Sequence, residues 1–301
     1  MESTAIGSGP VLVASDFSDA ADEAIRQAHQ WAIRSDREFS ALHVMGTAPM
    51  HALFPKLHVQ DAAEFVTLEK ELAERLSERI RRCTGGEVQS SRVHVDYGNP
   101  YVAIVRKAEE MGASLVVIGG SGATGLKRVF LGSVAEKVVR NAHCSVLVAR
   151  HAVEGSVVLA ATDLSDPALF AVQSAAIEAK TREIPLVLMH DIDRWPSLMS
   201  GLALLGPVPI APDEETMAKQ RAAMLGILQS QLERLGLAAE IEVTTEGNPA
   251  AAIVRMADNL HAELLVLASR GHSGLARLAL GSVAEQAVRY AHCSVLVVRT
   301  H

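Results

Sequence analysis

The sequence predicts an α/β protein built from two tandem doubly wound domains, each a parallel sheet of five strands flanked by helices. Two observations carry that expectation: the chain repeats itself, and within each repeat short apolar runs alternate with stretches of helical periodicity. From Gly98 to Arg150 the sequence recurs 149 residues later without a gap, and about 31 of those 53 positions are identical. Upstream the likeness is weaker and the offset is 147, with VLVASDFSDA standing against VLAATDLSDP. One unit is therefore expected over residues 1–152 and the other over 153–301. A chain of 301 residues, 49% of them hydrophobic, can fill two ordinary cores.

The elements of each unit follow in order. PVLVAS (10–15) is a continuous apolar run of the kind buried on both faces of a parallel sheet. Ser18 or Asp19 then caps a segment whose apolar residues, Ala21, Ile25, Ala28 and Ala32, recur at helical spacing. In the second unit Asp166 and Pro167 make the same start, with proline at the first helical position. Strand EFSALHVM, an insert, helix AAEFVTLEKELAERLSERIRRC, strand SSRVHVDYG and helix PYVAIVRKAEEMG follow. Strand ASLVVIGG, a glycine-rich loop, helix SVAEKVVRNA and strand SVLVAR complete the unit, so five strands are joined by four helical crossovers.

Composition narrows the function. The formal net charge is −7 and no run of five basic residues occurs, which argues against a nucleic-acid partner. MESTAIGSGP has neither a basic nor an apolar region of signal-peptide type, and GLALLGPVPIAP is too short and too broken to span a bilayer. Cys83, Cys144 and Cys293 form no CxxC pair, which fits a reduced, cytoplasmic protein.

In open parallel sheets ligands bind beyond the carboxyl ends of the strands, where strand order reverses. Two polar features lie at such ends in each half. Asp16 follows the first strand and the loop GGSGATGLKRVFLGS (119–133) follows the fourth; Asp163 and ASRGHSGLARLALGS (268–282) repeat them. Glycines let a backbone approach an anion and adopt positive φ, and Gly132-Ser133 opens a helix whose positive end favours phosphate.

Gly119-x-x-Gly122, nine residues, then Gly132-Ser133 resembles the ATP-binding signature of the universal stress protein family, and the whole chain looks like a tandem member. The Asp closing the first strand, the His-Val step of the second and the final Ser-Val-Leu-Val strand match as well. The resemblance implies a Rossmann-like, adenine nucleotide alpha hydrolase-like fold with strand order 3-2-1-4-5 in each half. It also implies ATP, accompanied by Mg2+, as ligand: Asp16 contacts the nucleoside, Val44 lines the adenine pocket, and Gly119, Gly122, Gly132 and Ser133 surround the phosphates. The second half keeps Asp163, Gly271, Gly281 and Ser282 but departs twice. Ala268 stands at the position of the first glycine, where its methyl either crowds the phosphates or is harmless if φ is negative. Asp191 replaces Val44, a carboxylate poorly suited to face adenine and expected to turn outward. The first half is thus the expected ATP site, and the second the weaker one.

Plainer readings stand beside these. A glycine-rich loop also serves as a turn, and Asp16 and Asp163 also suit helix capping. Lys127, Arg128 and Arg277 fit solvated charges, only the arginine position being shared between halves. His143-Cys144 and His292-Cys293 lack four-ligand spacing and fit a core thiol beside a capping histidine. His190, Asp191 and Asp193 form a low-ranked metal candidate. No Walker motif, GxSxG elbow or Ser-His-Asp order occurs, so at most slow hydrolysis is expected. An ATP-responsive stress protein is the leading reading; a non-nucleotide interaction protein or metal-assisted small-ligand binder with structural glycine loops is the alternative. SVLVAR and SVLVVRT would be sticky as free edges. In the family such strands pair antiparallel across a dimer, which implies an intramolecular pseudo-dimer here, with homo-oligomerisation through the inserts 46–70 and 194–220 open.

Overall fold

A computed structural model describes residues 6–46, 62–86, 89, 92–120, 131–151, 156–192, 213–271 and 280–300. The first half runs β1 (Val11–Ser15), α1 (Asp19–Arg34), β2 (Phe39–Met45), α2 (Ala62–Thr84), β3 (Val93–Tyr97), α3 (Pro100–Glu110), β4 (Leu115–Gly119), α4 (Ser133–Asn141), β5 (Ser145–Ala149). The second half repeats it as β6 (Val157–Ala161), α5 (Asp166–Arg182), β7 (Leu186–Asp191), α6 (Glu214–Leu235), β8 (Glu240–Thr244), α7 (Pro249–Asn259), β9 (Ala262–Ala268), α8 (Ser282–Tyr290), β10 (Ser294–Val298). The expected division at 152/153 lies outside the described residues, as does most of both inserts.

All ten strands form one sheet in the order β3-β2-β1-β4-β5-β10-β9-β6-β7-β8. Each half therefore has the expected order 3-2-1-4-5. Every pairing is parallel except that of β5 with β10, where Val146, Leu147 and Val148 lie opposite Val297, Leu296 and Val295. β1, β4, β5, β6, β9 and β10 are almost wholly buried, which explains why they read as unbroken apolar runs rather than alternating ones. One core lies between the sheet and α3, α4, α7 and α8, and the other between the sheet and α1, α2, α5 and α6.

The two halves hold each other reciprocally. Arg150, which follows β5, donates from its guanidinium to the carbonyl of Val288 in the last turn of α8 and to that of Cys293 just beyond the helix. Arg299, which ends β10 and is 6% exposed, donates to the carbonyls of Val139 and Arg140 at the end of α4, both at 2.8 Å. Their backbone N–H groups cross in the same way, Arg150 to Ser294 Oγ and Arg299 to Ser145 Oγ. Each cation thus meets at least one last-turn carbonyl that a helix leaves without an intrahelical partner, at the negative end of the helix dipole. Outside them, Arg140 bonds Glu285 at 3.0 Å and Arg289 bonds Glu136 at 3.2 Å, crossing between α4 and α8. On the opposite face Gln27 of α1 bonds the Arg150 carbonyl and receives the Ser294 hydroxyl.

Removing one of these arginines takes the side-chain donors away from helix-end carbonyls in the other half. Arg299→Met should lower the unfolding free energy by about 2–3 kcal/mol, the scale of hydrogen bonds to a charged donor. Urea denaturation measures it, and an unchanged midpoint would show that the caps contribute nothing.

Candidate functional site

The site begins with the turn after β1. Asp16 Oδ1 accepts the Ser18 N–H at 3.0 Å, Phe17 N–H donates to Ser15 Oγ, and Ser18 Oγ then caps α1 by accepting from Ala21 N–H. The second half copies each bond: Asp163 Oδ1 accepts from Ser165, Leu164 N–H donates to Thr162 Oγ1, and Ser165 Oγ caps α5 at Ala168. Folding the chain this tightly forces Phe17 and Leu164 into left-handed backbone, φ 63° and 67°. A bulky side chain there is strained, and its occurrence at both copies ties the strain to holding the aspartate in place. In the first half Arg75 of α2 covers the Phe17 ring at 4.5 Å, and Phe17 packs on His43 with centroids 4.4 Å apart. Asp16 and Asp163 therefore do serve as turn-formers.

A second pair of residues was only partly visible in the sequence. His43 Nδ1 lies 2.7 Å from the Ser15 carbonyl, and His190 Nδ1 lies 2.8 Å from the Thr162 carbonyl. Against a carbonyl Nδ1 must be the protonated nitrogen, so each histidine ties the carboxyl end of its second strand to the residue preceding the aspartate. The signal was the repeated histidine one step before positions 44 and 191. Burial pushes the His43 pKa below its usual value, the Ser15 carbonyl and Asp16 acting in the opposite sense.

The glycines divide by role. None of Gly119, Gly132, Gly271 or Gly281 has positive φ, so conformational freedom is not why they are glycine. A Cβ on Gly119 would lie 2.8 Å from the carbonyl carbon and oxygen of Ala20, so this residue lets β4 pass under the start of α1. Ala268 at the equivalent position has no positive φ either, and its methyl packs towards the core on the α5 side while bordering the crevice. This position is set by strand-to-helix packing, and the fold accommodates the methyl without positive φ. A Cβ on Gly271 would fall 2.0 Å from Asp163 Oδ2, so the loop and the aspartate do converge. Gly132 and Gly281 are the N-caps of α4 and α8 and, lacking side chains, provide no cap hydrogen bond of their own. The first-turn N–H groups at Ser133 and Ser282 thus begin helices that no side chain caps, the arrangement that accepts an anion.

In the second half these groups enclose a cavity of about 300 Å³. Its polar border is Thr162, Asp163, His190, Asp191, Arg270 and Gly271, with Gly281-Ser282 at the helix end. Met189, Pro249, Ile253, Leu267 and Val283 make an apolar slot beside it. Asp191 does not turn outward. Its Oδ1 accepts from Thr244 Oγ1 at 2.7 Å and from Glu246 N–H at 2.9 Å, and its Oδ2 is shielded from water without a hydrogen-bond partner. In the first half the same framework holds Asp16, His43 and Val44 at the ends of adjoining strands, with Gly132-Ser133 opening α4.

Several expected residues fall outside the described residues: Gly122, Lys127, Arg128, Asp193 and Arg277. No group of three or more metal-ligating side chains occurs among the described residues, so His190 and Asp191 stand there without a third ligand. His143 pairs with Glu109 and His292 with Asp258, while the neighbouring Cys144 and Cys293 are buried, their thiols pushed up to about 11 by loss of solvent.

Two measurable consequences follow from the framework. Gly119→Ala should cost about 1–3 kcal/mol, because backbone rather than a mobile side chain stands in the way of the methyl; denaturant unfolding that matches the parent chain would contradict it. Because folding depresses the pKa of His43, and burial does the same at His29 and His94, the folded state favours their neutral forms. Stability is then full above about pH 6.5, the unfolded value, and falls as pH drops below it. A proton NMR titration should place the His43 ring below that value, and His43→Gln should flatten part of the loss between pH 7 and pH 5.

Comparison with known proteins agrees with this framework. The family model described as "Universal stress protein family" matches residues 8–150 and again 156–299. Universal stress protein MJ0531 of Methanocaldococcus jannaschii is 34% identical over 143 residues, which are 46% of this chain and 81% of that protein. A universal stress protein from Archaeoglobus fulgidus superposes with a TM-score of 0.67 at 20% identity, over 97% of this chain and 98% of the other, and shares the fold. A second structure from that organism, a universal stress protein in complex with dAMP, aligns with 48% of this chain and 98% of its own at 22% identity and a TM-score of 0.34. The chain belongs to the universal stress protein family, with one family domain in each half.

Proposed function

We propose that this protein binds ATP, with Mg2+ accompanying the phosphates, chiefly in its first half, and that occupancy rather than turnover is its signal in stress adaptation. The observation that carries this reading is the crevice of the second half, where an aspartate, a glycine loop and an uncapped helix start surround a cavity with an apolar slot. The first half repeats the framework residue for residue: Ala14 for Ala161, Asp16 for Asp163, Leu42 for Met189, Pro100 for Pro249, Ile104 for Ile253 and Ile118 for Leu267. It keeps Val44 where the second half has a carboxylate, so an aromatic base meets an apolar wall. Asp16 then faces the nucleoside, while Gly119, Gly122, Gly132 and Ser133 follow the phosphates. N–H groups at a helix start hold an anion but supply no general base and no mobile cation, which favours retention of the triphosphate over hydrolysis.

Titration calorimetry of the full chain with ATP and Mg2+ tests the reading. One equivalent should bind saturably, be lost in Gly122→Val and persist in Gly271→Val; absence of heat at millimolar ATP would overturn it.

A further inference from the structure

The helix that opens the first crevice is held at its far end by the second half. α4 starts at Ser133, beside Gly132, and ends at Asn141, nine residues or about 13 Å later. Its last-turn carbonyls at Val139 and Arg140 both accept from the Arg299 guanidinium at 2.8 Å. Arg299 follows β10, is 6% exposed, and leaves its Nε buried without a partner. Among the described residues no carboxylate pairs with it, and the cation acting on it, Arg270 of the second crevice, has the same sign. A positive charge shielded from solvent thus sits at the negative end of the helix whose positive end faces the first crevice.

Such a charge acts on a ligand in two ways. It cancels the helix's negative end, which otherwise opposes an anion at the start. It also attracts the anion directly, since a buried charge is screened by salt much less than an exposed one. With the guanidinium and a phosphate about 18 Å apart and an effective dielectric constant of about 20, one pair of unit charges still changes a binding constant about fivefold. Ala135, Val138 and Val139 are buried, so α4 is seated on the core between its two ends.

We propose that Arg299 of the second half is a positioning residue of the first crevice, acting through α4 to strengthen the hold on phosphates that it does not touch. This rests on the ATP reading of the first crevice and adds which half controls it. The relation is mutual. Arg150 of the first half reaches the last turn of α8 in the same way, and its Cγ lies against Gly120 at the entry to the first glycine loop, where a Cβ would meet it at 3.2 Å. Neither half by itself supplies the full field at its own crevice.

Titration calorimetry of the full chain, with Mg2+ present, compares ATP with adenosine, which lacks the phosphates. Arg299→Gln keeps a donor for the carbonyls without the charge, and it should weaken ATP about fivefold while leaving adenosine within about twofold. Arg299→Lys keeps the charge and should hold ATP within about twofold of the parent chain. Arg270→Glu leaves both Arg299 bonds in place but sets a carboxylate beside the guanidinium, so it should weaken ATP in the same direction and tests the idea even where Arg299→Gln does not fold. ATP affinity unchanged in Arg299→Gln and Arg270→Glu, an equal loss for adenosine, or an equal loss in Arg299→Lys overturns the role of Arg299 while leaving the ATP reading standing. Absence of ATP binding by the parent chain removes both.

Discussion

The antiparallel pairing of β5 with β10 is the contact on which the rest of this molecule depends. Each strand is apolar on both faces and closes its own parallel sheet, so by itself it would present an open ladder of backbone donors and acceptors. Joined at Leu147 and Leu296, the two edges disappear into a ten-stranded sheet. The reciprocal arginines make the pairing specific. A slip in register would carry Arg150 and Arg299 away from the helix ends whose carbonyls they satisfy, leaving buried cations with nothing to bond.

The same strands anchor the crevices. Gly120 N–H donates to the last carbonyl of β5 at Ala149, and Ser269 N–H donates to that of β10 at Val298, both at 2.9 Å. Gly132 and Gly281 then donate to the carbonyls of Gly120 and Ser269 at 2.8 Å, which sets where α4 and α8 start. Entry and exit of each glycine loop are therefore fastened to the inter-half seam, while the aspartate opposite is fastened by its own turn and by the histidine of the second strand. Two rigid walls, each built from short local bonds, face a slot with apolar sides. The crevices then differ only in the few side chains left free to vary, such as Val44 in the first half and Asp191 in the second.

Much of this was legible in the residues. The duplication, the unbroken apolar runs and the Ser-caps located the elements closely, α2 beginning at Ala62 as its periodicity indicated. Asp16, Asp163 and the glycine loops stood out because they close strands in both copies. One constraint on the glycines was not legible: Gly119 also has to be small to clear Ala20, a residue about 100 positions away, and spacing along the chain contains no trace of that contact. Asp191 was misjudged similarly. Its stay inside the crevice depends on donors from Thr244 and Glu246, more than 50 residues downstream.

Sequence alone determined the architecture of each half, because burial and helical periodicity are local properties repeated often enough to be unambiguous, and the duplication stated them twice. It also determined which residues close the strands, since a polar residue after an apolar run has few other places to be. The tertiary structure decided what those residues face. Whether a methyl at position 268 intrudes, whether a carboxylate at 191 points in or out, and which half caps the helices of the other are all settled by atoms that meet only after the chain has folded. Close packing gives each such group one neighbour and one angle, and the order of residues along the chain records neither.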